Sequence, residues 1–131
     1  MSGPAPALLV LRRVPDDRRD LAAAMAGLPP ATGPGDLWWE LVDAAAPPGM
    51  PAAAVALTRA GADGFTHIVA LAAVSTVGRD PLTRLIRELV AALRRTETGV
   101  ISLRGGRPDV DDALLAEEFV PVGDNLFVLH L

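Results

Sequence analysis

Between residues 81 and 95 the apolar positions recur with the period of an α-helix. Leu82, Leu85, Ile86, Leu89, Val90 and Leu93 form one stripe, and Arg84, Arg87, Glu88, Arg94 and Arg95 take the opposite face. Asp80 suits the N-cap, and Pro81 suits the first helical position, where its missing N–H costs nothing. Ahead of this helix, residues 65–75 (FTHIVALAAVS) are a nearly continuous apolar run that reads as a buried strand. After it, Gly99 gives way to a strand over residues 100–104. A strand–helix–strand unit of this length implies a parallel pair with a right-handed crossover, its strands diverging at their C-terminal ends. It also brings a helix N-terminus, with free N–H groups and a positive dipole end, to the mouth of the sheet, where an anionic phosphate would be stabilised.

The remaining pattern surrounds this unit with antiparallel strands. Residues 7–14 (ALLVLRRV) read as a first strand. A helix follows from Pro15-Asp16-Asp17, carrying Leu21, Met25 and Leu28 at helical spacing and ending at Gly27 and Pro29-Pro30. The Pro/Gly-rich residues 29–36 form a loop. Residues 37–43 (LWWELVD) suit either a helix capped by Asp36 or a strand. The strand is favoured, because the turn Pro47-Pro48-Gly49 leads straight into a hairpin partner over residues 52–59. The turn 61–64 then joins that partner to residues 65–75, completing a three-strand meander. Residues 109–118 read as a short helix, and residues 119–122 and 126–131 as a closing hairpin around Gly123-Asp124-Asn125. The fold class is therefore α/β (α+β), a mixed sheet in the order β-α-β-β-β-α-β-α-β-β, with residues 1–131 as a single domain.

Composition narrows the functional classes. A formal net charge of -4 and a pI near 5.0 argue against nucleic acid as a partner. All 12 basic residues are arginine, as expected from a GC-rich coding bias that also enriches Ala, Gly and Pro. The absence of cysteine excludes disulfides, thiolate catalysis and cysteine zinc sites. No apolar stretch has the length of a membrane span, and the N-terminal segment lacks the basic region of a signal peptide. A cytoplasmic protein that neither crosses nor binds a membrane is the expectation.

The element order resembles the GNAT (N-acetyltransferase) superfamily over essentially the whole chain. In that family the fourth strand ends in a Val-His-Pro-like turn and enters an Arg/Gln-x-x-Gly-x-Gly/Ala loop. Here Val74-Ser75-Thr76 matches the strand end, and Arg79 falls at the Arg/Gln position. Residues 113–123 (ALLAEEFVPVG) resemble the family's Ala-x-x-Tyr-x-x-x-Gly-Phe-x-x-x-Gly segment, with Phe119 at its Phe. The resemblance implies acetyl-CoA or another acyl-CoA as cofactor. Its pantetheine arm would run along Val74, and its pyrophosphate would meet Gly78, Arg79, Asp80, Leu82, Thr83 and Arg84.

Departures from the family pattern bear on the chemistry. Between Arg79 and Leu85 there is no glycine to let backbone N–H groups close on a pyrophosphate. Pro81 lacks a donor, and Asp80 places a negative charge where phosphates would dock. The chain has no tyrosine to act as general acid, and Leu114 stands in the equivalent place. Ile68 stands where the family often has a basic Glu. Neighbouring His67 is the candidate base, although a regular pleat turns it to the other face, where a structural role is expected. Glu40, beside Trp38 and Trp39, is a candidate to read an amine, against the plainer expectation of a solvated strand carboxylate. The two Trp rings should face opposite ways, one into the core and one toward the cleft or a partner. His130 is expected at the surface, Asp109, Asp111 and Asp112 are helix-start carboxylates with only superficial metal spacing, and no metal site is expected.

Two functions follow. One is an acyl-CoA-dependent N-acyltransferase acting on a small-molecule or peptide amine, for example an antibiotic or a protein N-terminus. The other is a catalytically silent binding module with an eroded CoA loop, dimerising through the aromatic or C-terminal strands.

Overall fold

The computed structural model describes residues 9–29, 33–45, 47, 49–62, 64–74 and 81–131. In chain order its elements are β1 (Leu9–Arg13), α1 (Arg19–Ala26), β2 (Asp36–Asp43), β3 (Ala54–Ala60), β4 (Phe65–Ala73), α2 (Pro81–Arg94), β5 (Val100–Arg104), α3 (Pro108–Ala116), β6 (Val120–Pro121) and β7 (Leu126–His130). They form one mixed sheet in the order β1-β2-β3-β4-β5-β7-β6. The order of elements and the mixed sheet are those expected from the sequence.

Residues 37–43 take the strand alternative. β2 lies between β1 and β3, antiparallel to both, so both of its edges are paired, and its two faces pack into the two cores. Trp38 and Val42 pack under α1, while Trp39 and Leu41 point to the face covered by α2 and α3. A helix would have left one of these aromatic faces in water. Trp38 is buried, whereas Trp39 is partly exposed, donates Nε1–H to Thr58 Oγ1 at 2.9 Å and carries the Arg13 guanidinium 5.6 Å from its ring centre.

The crossover is also as expected. Leu82, Leu85, Ile86, Leu89, Val90 and Leu93 are all buried against the sheet. Each such side chain contributes about 1.5–3 kcal/mol by leaving water. β4 and β5 run parallel, pairing from Phe65↔Val100 to Ile68↔Leu103. There the ladder stops, while β4 continues beside β3 to Ala73.

Several boundaries differ for local reasons. The first helix opens with a 3-10 turn over Asp16–Arg18, and it ends at Gly27, whose φ of 70° lets Leu28 N–H reach Ala23 O at 2.9 Å. β6 is only two residues long, and Pro121 within it brings no N–H to the ladder. The short third helix starts at Pro108 and stops before Glu118, whose φ of 69° is incompatible with helix. Residues 7 and 8 of the expected first strand lie outside the described residues, as do Ser75 and the proposed N-cap Asp80.

Candidate active site

β4 separates from β5 because of a one-residue irregularity. In the β3–β4 register Leu57 faces Ala70 and Thr58 faces Ile68, leaving Val69 without an opposite residue. This β-bulge bends the strand and turns Val69 and Ala70 toward the same core, the one under α1. Beyond Ile68 the edge of β4 that faced β5 has no strand partner. Backbone groups along residues 69–73 therefore lie open to a ligand that can pair like a strand.

A cavity of about 220 Å³ fills the opening. β4 contributes Val69, Ala70 and Leu71; across from them stand Leu103, Arg104 and Gly105. Arg107 and Val110, from the start of α3, complete the lining. The turn 104–107 is tightly built. Gly105 N–H donates to Asn125 O at 2.6 Å, and Gly106 N–H donates to Asp111 Oδ1 at 2.9 Å. A Cβ at Gly105 would collide with Asp111 Oδ1 and sit 2.7 Å from the Phe127 ring, so only glycine fits. Gly106 has φ 121°, in the region glycine favours.

His67 sits below the opening, on the paired part of β4, and does not line the cavity. It shares a hydrogen bond of 2.9 Å between Nδ1 and Ser102 Oγ, on the opposite face from buried Ile68. Burial pushes its imidazole below the ordinary value of 6.5, and the nearby Arg104 and Arg59 charges push the same way. It is a neutral imidazole tied to β5.

Glu40 is neither solvated nor open to an amine. It is 1% exposed, and both carboxylate oxygens are engaged. Arg18 Nε and Nη2 donate to Oε1 at 3.0 and 2.9 Å, and Arg12 Nε donates to Oε2 at 2.8 Å. Arg18, also buried, spends its remaining Nη2 contact on Met50 O at 2.8 Å. This cluster borders a second cavity, about 870 Å³, which reaches from the 3-10 turn residues Asp17 and Arg18 across to Val74.

The expected cofactor residues are divided. Val74 follows the last residue of β4 and is exposed, with its N–H donated to Ala53 O at 2.9 Å. In the first turn of α2, Leu82 is buried in the core, Thr83 is half-buried, and Arg84 pairs with Glu88 at 2.9 Å. Gly78, Arg79 and Asp80 lie outside the described residues. His130 is exposed at the end of β7, and Leu114 is fully buried in the core. Asp111 serves the turn at Gly106, and no cluster of metal-ligating side chains occurs among the described residues. Among those residues no helix is long and apolar enough to cross a membrane. The cavity residues Arg104, Gly105 and Arg107 were not singled out from the sequence. The signal for them was Arg104-Gly105-Gly106-Arg107, a double glycine between two arginines directly after a strand.

No protein-family model matches this sequence, and no curated protein matches it at the sequence level. Solved structures do match its fold. The ribosomal-protein-S18-alanine N-acetyltransferase of Escherichia coli aligns with a TM-score of 0.69 at 13% identity, over 92% of this chain and 91% of that one. A GNAT-family acetyltransferase from Brucella melitensis, solved in complex with acetyl-CoA, aligns with a TM-score of 0.68 at 12% identity, over 96% and 90%. A Staphylococcus aureus acetyltransferase of the GNAT family aligns with a TM-score of 0.66 at 8% identity, over 95% and 99%. At such identities the likeness is one of fold.

Proposed function

We propose that this chain, which has the fold of the GNAT N-acetyltransferases, is an acyl-CoA-dependent N-acyltransferase whose reaction site is the cleft between β4 and β5. The observation that carries the reading is the unpaired edge of β4 from the bulge at Val69 onward, lined up beside a small cavity. That edge suits an extended, amide-bearing chain such as pantetheine, which can replace the missing strand bond for bond. The cavity at its foot is mostly apolar, apart from two guanidiniums, and has room for a small acyl group.

The cofactor, when bound, supplies a thioester open to attack by a neutral amine. The cleft-facing backbone groups of residues 69–73 would hold its pantetheine arm, which would continue past Val74. The first turn of α2, with Leu82, Thr83 and Arg84, and the preceding Gly78, Arg79 and Asp80 would meet its phosphates. Val69, Leu71, Leu103 and Val110 exclude water from the acyl end of the cleft. Among the described residues no carboxylate and no histidine lines the cavity, and the chain has no tyrosine. Rate enhancement then comes from positioning and from preorganised backbone donors, and the amine must arrive deprotonated. The acceptor is a small-molecule or peptide amine, and the cytoplasm is the compartment.

The missing acid and the lack of glycine between Arg79 and Leu85 favour a second reading, a partner module that binds no acyl-CoA. Calorimetric titration with acetyl-CoA separates the two. Binding in the micromolar to millimolar range is expected, and Asp80→Gly should tighten it by removing a charge that opposes phosphate. No heat of binding at millimolar acetyl-CoA would leave the partner module standing.

A further inference from the structure

The charged lining of the cleft has one sign. Among the described residues, Arg104 and Arg107 are the only ionisable ones that line it, in a protein whose formal net charge is -4. Several guanidiniums elsewhere are matched by carboxylates: Arg59 with Asp36 at 2.7 Å, Arg87 with Glu117 at 2.7 Å, and Arg84 with Glu88 at 2.9 Å. At the cleft they are not. Arg104 has no ion pair among the described residues, and Arg107 makes only a 3.4 Å contact with exposed Asp109. Charge-assisted bonds between guanidinium and carboxylate close to about 2.7–2.9 Å when they hold. Arg94 and Arg95 also make no ion pair among the described residues, but they sit at the C-terminal end of α2, where the helix dipole favours cations; Arg13, likewise without a carboxylate partner there, lies over the Trp39 ring beside a separate cavity of about 370 Å³.

The turn that carries the two arginines is also stiff. Gly105 is closed in by Asp111 and Phe127, and its N–H is fixed to Asn125 O. Of the two carboxylates close to this turn, that of Asp111 accepts the Gly106 N–H, and exposed Asp109 makes the 3.4 Å contact with Arg107. Two planar donor forks are therefore carried by a rigid bend at the edge of a cleft that no carboxylate lines among the described residues. The Arg104 charge also reaches His67, where it helps keep the imidazole neutral.

We infer that the β4–β5 cleft takes a substrate bearing a free carboxylate, recognised by Arg104 and Arg107. This rests on the acyltransferase reading and adds the substrate class to it. The carboxylate belongs either to the acceptor, as in an amino acid, or to the acyl chain, as in a dicarboxylic acyl-CoA. The guanidiniums bind and orient it; the bond-making atoms are those of the amine and the thioester. A donor fork facing a carboxylate gives discrimination that an apolar cleft lacks, because the uncharged analogue leaves both guanidiniums unanswered.

The test uses the full chain and the variants Arg104→Gln and Arg107→Gln, which keep length and polarity without charge. Succinate and its diamide are first titrated by NMR or thermal shift. Succinate should bind and shift the melting temperature, the diamide should not, and each variant should weaken the succinate response about tenfold or more. Steady-state rates are then measured with two pairs of partners: amino acids against their amides as acceptors with acetyl-CoA, and succinyl-CoA against acetyl-CoA as donors with a simple amine. A raised KM in the variants for the carboxylate-bearing member of one pair alone identifies which substrate carries the carboxylate. Equal responses to succinate and its diamide overturn the inference even if acetyl-CoA binds. Variants that lose affinity for CoA itself also overturn it, since the arginines would then be holding phosphate. Should acetyl-CoA not bind, the acyltransferase reading falls, while the succinate titration still decides whether the cleft recognises a carboxylate.

Discussion

Arg18 is buried beneath the 3-10 turn with three contacts to Glu40 and one to a backbone carbonyl, whereas Arg104 stands exposed at the mouth of the β4–β5 cleft with no ion partner among the described residues. The two side chains have the same chemistry, and their surroundings give them opposite work. Taking the Arg18 guanidinium out of water is tolerable only because a carboxylate waits for it, so its charge is consumed inside the fold. The Arg104 charge is left over, and a leftover charge at a cleft is available to a ligand. Glu40 shows the same division from the acidic side: adjacent to two tryptophans it invites a catalytic reading, yet both its oxygens are committed to arginines.

Removing Glu40 tests the comparison most severely. Glu40→Ala should cost about 3–5 kcal/mol in urea unfolding, because Arg18 is left buried and unpaired. Arg104→Ala should stay within about 0.5 kcal/mol of wild type, as a surface change does. A cost below about 1 kcal/mol for Glu40→Ala would mean that Arg18 simply swings into solvent, and the contrast would collapse. A smaller effect is expected at the cleft turn. Gly105→Ala forces a methyl against Asp111 and Phe127. It should lower stability by about 1–3 kcal/mol and displace the Arg104–Arg107 bend, so that cleft ligands weaken along with it. Unchanged melting with unchanged ligand binding would show that the bend yields.

The smallest effect is a pH dependence at His67. Its folded imidazole titrates below the ordinary 6.5 of the unfolded chain, so the unfolded state takes up the proton first. The contribution is full above pH 6.5 and is lost as pH falls from there through the folded value. His67→Gln should flatten this limb while leaving the rate per folded molecule near wild type. A large drop in that rate would instead make His67 a base. Asp36, held below its ordinary 3.8 chiefly by Arg59, adds a separate limb at lower pH: its contribution is present above 3.8 and lost as pH falls below it.

The sheet and its crossover could be read in the chain because each depends on a period the sequence displays. The α2 stripe is unbroken, and the strand runs on either side of it are short and punctuated by glycine. Residues 37–43 were ambiguous because a segment buried on both faces shows no alternation, and only pairing to β1 and β3 decides its form. The site was less legible. The bulge at Val69 is a property of register against β3, not of any residue in β4. The burial of Glu40 depends on Arg18, 22 residues earlier, reaching it from another element. Arg104 and Arg107 were visible, but nothing in the sequence shows which arginines will lack a carboxylate.

The interrupted ladder gives β4 two kinds of backbone within nine residues. From Phe65 to Ile68 the strand is flanked on both sides, while from Val69 to Ala73 alternate amides face the cleft with no strand beyond them. In hydrogen exchange the first group should be slow and the cleft-facing amides of the second fast, a step in protection within a single strand. A chain that docks along the open edge would erase that step. β4 therefore carries its own occupancy gauge, readable amide by amide with no label on the ligand and no knowledge of what the ligand is.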